Sequence, residues 1–158
     1  MKEKLRTWIG YALPPVIWLM VVLSFSSGSF SADTSGRFIE RLLRCCWPSL
    51  LARLTPAELE LLNVVVRKLA HVTEYALLAV LVLRAHAGLN GQRRPVGWVL
   101  ALSIAAAVAV ADETRQSFTS ARTAAATDVL LDCGGAALGA VAFRCWERIH
   151  ARGKYRRP

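Results

Sequence analysis

Five side chains able to bind ions or move protons fall within one short stretch: Arg67, Lys68, His71, Glu74 and Tyr75. Their spacing of three, four and seven residues puts them on one face of a helix. Asp112, Glu113 and Gln116 form a second group, and Arg122, Asp128 and Asp132 a third. An imidazole among carboxylates is equipped for general acid–base work or a proton relay, which makes His71 and Asp112 the candidate catalytic pair. The cationic heads of Arg67, Lys68 and Arg122 suit a phosphate or carboxylate, with Asp112, Glu113 and Asp132 orienting them. Three converging acids, Asp112, Asp128 and Asp132, would instead suit a hard divalent cation. Blander roles stand beside these. His71 could be a hydrogen-bonded buried histidine, Glu74 a neutraliser of Lys68 or His71, and Tyr75 an interfacial residue. Asp128 could be the N-cap of a helix. Asp112 and Glu113 project about 100° apart on a helix, so the two are not expected to enter one pocket: Asp112 is expected to face the last helix and Glu113 to pair with Arg67 or Arg115.

The elements carrying these groups are strongly apolar. The chain has 158 residues, 54 % of them hydrophobic, and a mean hydropathy of +0.37, which puts the membrane class first. Four spans are expected at about 8–25, 64–84, 98–118 and 128–146, forming one all-α bundle of four transmembrane helices. Pro14-Pro15 should kink the first, which neighbouring helices tolerate. Its apolar run is too long for a signal peptide, and no convincing cleavage site follows it. A short interfacial helix is expected at Ser35–Cys46, with Phe38, Ile39, Leu42 and Leu43 towards lipid and Arg37, Arg41 and Arg44 outward. Thr55-Pro-Ala-Glu58 reads as a helix start. Gly135 and Gly139 form a small-xxx-small face that allows close helix contact. The four cysteines show no metal-ligand spacing.

Charge sets the expected orientation. Of the 20 Lys and Arg, twelve flank the N-terminal tail, the turn after span two and the C-terminal segment, among them Lys2, Arg84, Arg93, Arg148 and Arg157. The positive-inside rule then places both termini in the cytoplasm, with 147–158 as a basic cytoplasmic tail. The net charge of +9 fits contact with anionic headgroups, and no nucleic-acid motif accompanies it.

Depth is the decisive count. At about 1.5 Å per residue, Asp112 lies about 21 Å from Trp98, Asp132 about 21 Å from Trp146, and His71 about 20 Å from Arg84. Three helices thus bring an ionisable residue to one level of the outer leaflet. Each charge in a span centre costs roughly 2.5–3.5 kcal/mol, so six would exceed a small domain's net stability unless they paired or lined a wet cavity. One alternative is a plain interhelical network that fixes the register of the bundle.

The set Arg67-Lys-Leu-Ala-His-Val-Thr-Glu-Tyr75, Asp112-Glu-Thr-Arg-Gln-Ser-Phe118, Arg122 and Asp128 to Gly139 resembles the successive motifs of the VanZ-like membrane protein family, over roughly residues 5–146. Two places depart from it. Thr119-Ser-Ala stands where the family often has a Pro-Gly turn, and an alanine run follows Arg122. The resemblance implies a multi-pass protein of the bacterial cytoplasmic membrane linked to teicoplanin-type antibiotic susceptibility. Some members carry a phosphotransbutyrylase label, but this chain has no phosphate-cradling glycine loop. The expected partner is a membrane lipid or lipid-linked envelope precursor, or a lipoglycopeptide itself. The alternatives are a hydrolase or transferase acting on a lipid-linked phosphate, and a structural or partner-binding membrane module. The sequence names no cofactor and no oligomeric state.

Overall fold

The computed structural model describes the backbone of residues 2–25, 32–90, 95–119 and 126–154, and the side chains of these except at 32–33, 116–119 and 151–154. Among these described residues six helices follow in order: α1 (Lys2–Phe25), α2 (Ala32–Cys46), α3 (Pro48–Leu51), α4 (Pro56–Asn90), α5 (Pro95–Thr119) and α6 (Ala126–Lys154). There is no strand among the described residues. Four helices, α1, α4, α5 and α6, are long and apolar enough to cross a membrane.

The expected architecture holds, with longer elements than apolarity alone suggests. The second span is one end of a 35-residue helix, about 52 Å long. Its start is the Thr55–Glu58 box. The Thr55 N–H donates to Glu58 Oε2 at 2.8 Å, and the Glu58 N–H donates to Thr55 Oγ1 at 3.3 Å. Two orphan donors are satisfied reciprocally, so the helix begins there and not at the first apolar run. At the other terminus, α6 continues helically to Lys154, through most of the segment expected as a tail. α1 runs unbroken through Pro14 and Pro15.

α4 is the centre of the bundle and packs against α1, α2, α5 and α6. In a membrane there is little hydrophobic drive between helices, so close approach of small residues has to supply the packing. Ala101, Ala105 and Ala109 of α5 recur every four residues and are buried, as are Ala136 and Ala140 of α6 and Ala79 of α4. Gly135 and Gly139 make the closest seam. A methyl on Gly135 would sit 2.6 Å from the Val72 carbonyl oxygen, and one on Gly139 would strike the Ala76 backbone. Around this seam Val22, Tyr75 and Leu78 are fully buried.

α2 is amphipathic, with Phe38 and Leu42 exposed and its three arginines outward. Ile39 corrects the expectation that it meets lipid: it is buried, turned towards the bundle. Asn63 of α4 explains why α2 is held there. Its Oδ1 accepts from the Ser35 hydroxyl at 2.8 Å, and Gly36 lets the same side chain approach.

The start of α1 and the end of α6 lie at one end of the bundle. Arg84 of α4 lies over the Tyr11 ring at 5.8 Å, and Trp98 of α5 shares a small cleft with Leu83 of α4 and Arg144 of α6. α5 and α6 are therefore antiparallel neighbours whose far ends carry the polar groups.

Candidate functional site

At the end remote from the termini, α4, α5 and α6 enclose a small cavity lined by Val64, Arg67, Lys68, His71, Asp112, Glu113, Asp128, Leu131 and Asp132. Seven of the eleven candidate residues therefore converge. Each helix delivers its members by periodicity: 64, 67, 68 and 71 from α4, adjacent 112 and 113 from α5, and 128, 131 and 132 from α6. The cavity measures about 50 Å³, room for a few waters or one ionic group, against roughly 300–1,000 Å³ for a typical ligand pocket.

Two of its ion pairs cross from α4 to α6. Lys68 Nζ of α4 lies 3.6 Å from Asp128 Oδ1 of α6, both partly exposed. Asp128 is in the first turn of α6, not ahead of it, where the helix dipole favours an acid. His71 Nδ1 lies 3.8 Å from Asp132 Oδ1 and 3.9 Å from Glu74 Oε2, between two acids on different helices. Asp112, only 3 % exposed, takes the Arg115 guanidinium at 3.1 Å. The same Nη2 also donates to the Leu23 carbonyl at 2.9 Å and so ties α1 to the site.

One expectation needs correction. Asp112 and Glu113 line one cavity, although they diverge by about 100° on α5. Asp112 is buried there and Glu113 partly exposed. Arg115 pairs with Asp112, its neighbour one turn back.

Glu74 and Tyr75 do not line the cavity. They stand behind it. Tyr75 is 0 % exposed, within electrostatic reach of Asp132, Asp112 and Glu74. Its hydroxyl has no partner within ordinary hydrogen-bond distance among the described residues. The Gln116 side chain and Arg122 lie outside the described residues.

Among the described lining residues four acids face Arg67, Lys68 and His71. Arg115 partners one of those acids from outside the cavity. The balance differs from a simple anion cradle: the cations are embedded among carboxylates. No group of three His, Cys, Asp or Glu is placed to hold a metal ion among the described residues. Asp112, Asp128 and Asp132 share the cavity without forming such a set.

Sequence reasoning missed Trp18. Its indole N–H donates to the Glu74 backbone carbonyl at 2.9 Å, fixing α1 against the polar turn of α4. A tryptophan ten residues inside a span is too deep for an interfacial anchor, and its N–H then needs an acceptor. That was the available signal. A second polar cluster, at the end of the termini, was also missed. There Glu147 is buried, 3.9 Å from Arg144 Nη1, and His86 Nε2 is enclosed beside Gly97 with no partner among the described residues.

No curated protein and no solved structure matches the chain. A family model described as VanZ/LLP1 matches residues 11–147, a stretch that contains all four apolar helices' cores and every cavity residue, and the chain belongs to that family.

Proposed function

We propose that this multi-pass membrane protein binds or modifies a cell-envelope lipid, or a lipoglycopeptide, through one ionic group of the ligand held in the cavity of α4, α5 and α6. The observation that carries the reading is the meeting of Arg67, Lys68 and His71 with Asp112, Glu113, Asp128 and Asp132 at one depth. Intramembrane ionisable groups are expensive and mark ligand or proton paths more often than packing. Arg67, Lys68 and Arg122 hold a phosphate or carboxylate, and the acids keep these cations oriented between binding events. A volume near 50 Å³ admits a headgroup phosphate, with the rest of the ligand in the membrane or outside it. With both termini in the cytoplasm, the cavity opens to the outer leaflet of the bacterial cytoplasmic membrane, the leaflet where envelope precursors and teicoplanin-type drugs meet.

The test compares lipoglycopeptide susceptibility for wild type, Asp112→Asn and His71→Ala at equal membrane expression. Both variants shift susceptibility on this reading. Unchanged susceptibility in both overturns it.

One observation favours a second reading, that of a hydrolase or transferase acting on a lipid-linked phosphate. His71 sits between Glu74 and Asp132, placed to pass a proton to or from a reacting oxygen. Lipid extracts of knockout and overexpressing cells separate the two: a changed lipid species indicates chemistry, and an unchanged profile indicates binding alone.

A further inference from the structure

α5 and α6 leave an open trough of about 580 Å³ where α5 starts and α6 ends, at the opposite end of the bundle from the cavity. One wall is Pro95, Trp98 and Val99 of α5. The other is Val141, Arg144, Cys145 and Arg148 of α6, spaced three, four and seven residues apart and so on one helix face.

The trough has a polarity gradient along its length. Because the helices are antiparallel, Val99 and Val141 form its deep end, 66 % and 52 % exposed. Arg148 and Pro95 form its shallow end, about 10 Å further along α6. No carboxylate lines it among the described residues. The acid on the same turn, Glu147, is buried on another face of α6, within the cleft shared with His86. Arg144 and Arg148 both line the shallow part of this hydrocarbon groove, Arg144 also lying 3.9 Å from Glu147, at the level of Trp98 and Trp146, where aromatic side chains mark the membrane interface.

We infer that this trough is a binding site for an anionic glycerophospholipid of the leaflet on the side of the termini. One acyl chain lies along Val99 and Val141, and the phosphodiester is held by Arg144 and Arg148. The gradient matches such a lipid end to end, with the tail deep and the anion shallow. Basic pockets between transmembrane helices recognise anionic headgroups in this way, and a planar guanidinium matches phosphate in bidentate fashion. The volume lies within the range of ligand pockets, roughly 300–1,000 Å³. The site is independent of the cavity at the other end.

The experiment uses the full chain in nanodiscs of equal phosphatidylglycerol and phosphatidylcholine, released into native mass spectrometry. Wild type retains phosphatidylglycerol over phosphatidylcholine. Arg148→Gln, which leaves Arg144 beside Glu147, lowers that retention by about tenfold. Val141→Trp, which fills the floor without touching a charge, lowers it similarly, and His71→Ala leaves it at the wild-type level. Excess glycerol 3-phosphate does not displace the lipid. Wild-type retention in both Arg148→Gln and Val141→Trp overturns the inference. So does displacement by glycerol 3-phosphate, which would mean a site for the headgroup alone. A dimer that Val141→Trp splits also overturns it, because the trough is then an interface between copies.

Discussion

His71 Nδ1 lies 3.8 Å from an Asp132 carboxylate oxygen and joins α4 to α6 across their tightest seam. Neither residue is isolated. The same ring nitrogen faces Glu74 at 3.9 Å, and Asp132 is only 6 % exposed. A buried carboxylate on one helix and an imidazole on the next form a unit whose members should not act independently. His71→Ala and Asp132→Asn, combined in a double-mutant cycle, are expected to be non-additive in thermal stability in detergent, with a coupling on the order of 0.5–3 kcal/mol. Additivity within experimental error would show that the pair carries no interaction.

The level at which these residues meet was legible from the chain alone. Tryptophan and arginine mark the membrane interface, the helix rise is constant, and counting from Trp98, Trp146 and Arg84 brings Asp112, Asp132 and His71 together. The direction of each side chain was not. Ile39 faces the bundle because Asn63 holds α2 through Ser35, and Glu113 lines the same cavity as Asp112. Both facts depend on how neighbouring helices are rotated, and periodicity within one helix carries no information about that. The length of α4 was half legible: the Thr55–Glu58 box marks its start, but Glu58, Glu60, Arg67 and Lys68 interrupt the apolar pattern that would join that start to the span.

Gly134 and Gly139 give a paired test of the seam. A methyl at Gly134 meets nothing within 4 Å, whereas one at Gly139 strikes the Ala76 backbone. Backbone atoms cannot rotate away as a side-chain end can. Gly139→Ala should therefore lower stability by about 1–3 kcal/mol, the usual range for overpacking. Gly134→Ala should stay within about 1 kcal/mol of wild type and gain slightly in helix propensity. Thermal unfolding of the two purified variants checks this. Equal melting temperatures would mean that α4 and α6 are not in such close contact.

Arg115 and Asp112 give a rescue test. Asp112 is almost fully buried, and the Arg115 guanidinium both pairs with it and holds the Leu23 carbonyl of α1. Arg115→Gln leaves that carboxylate without its guanidinium partner. Removing one partner of a buried pair costs up to about 3–5 kcal/mol, and less here because the Arg115 side chain is 43 % exposed. Asp112→Asn removes the charge that needs compensation. The double variant should therefore be more stable than Arg115→Gln alone, though below wild type because the bond to Leu23 remains lost. A double variant no more stable than Arg115→Gln would place the loss in the α1 contact alone.

Orientation can be read from the native cysteines. Cys45 and Cys46 are exposed at the end of α2, which docks on α4 near Asn63, on the side of the cavity. Cys145 is exposed at the opposite end, in the trough between α5 and α6. If the basic ends face the cytoplasm, a membrane-impermeant maleimide added to intact spheroplasts labels Cys45 and Cys46 and spares Cys145. Permeabilisation then adds Cys145 to the labelled set. Single-cysteine variants resolved by peptide mass spectrometry separate the sites. The reverse pattern would invert the bundle. It would place the cavity of Arg67, His71 and Asp132 at the cytoplasmic face, out of reach of an envelope precursor in the outer leaflet.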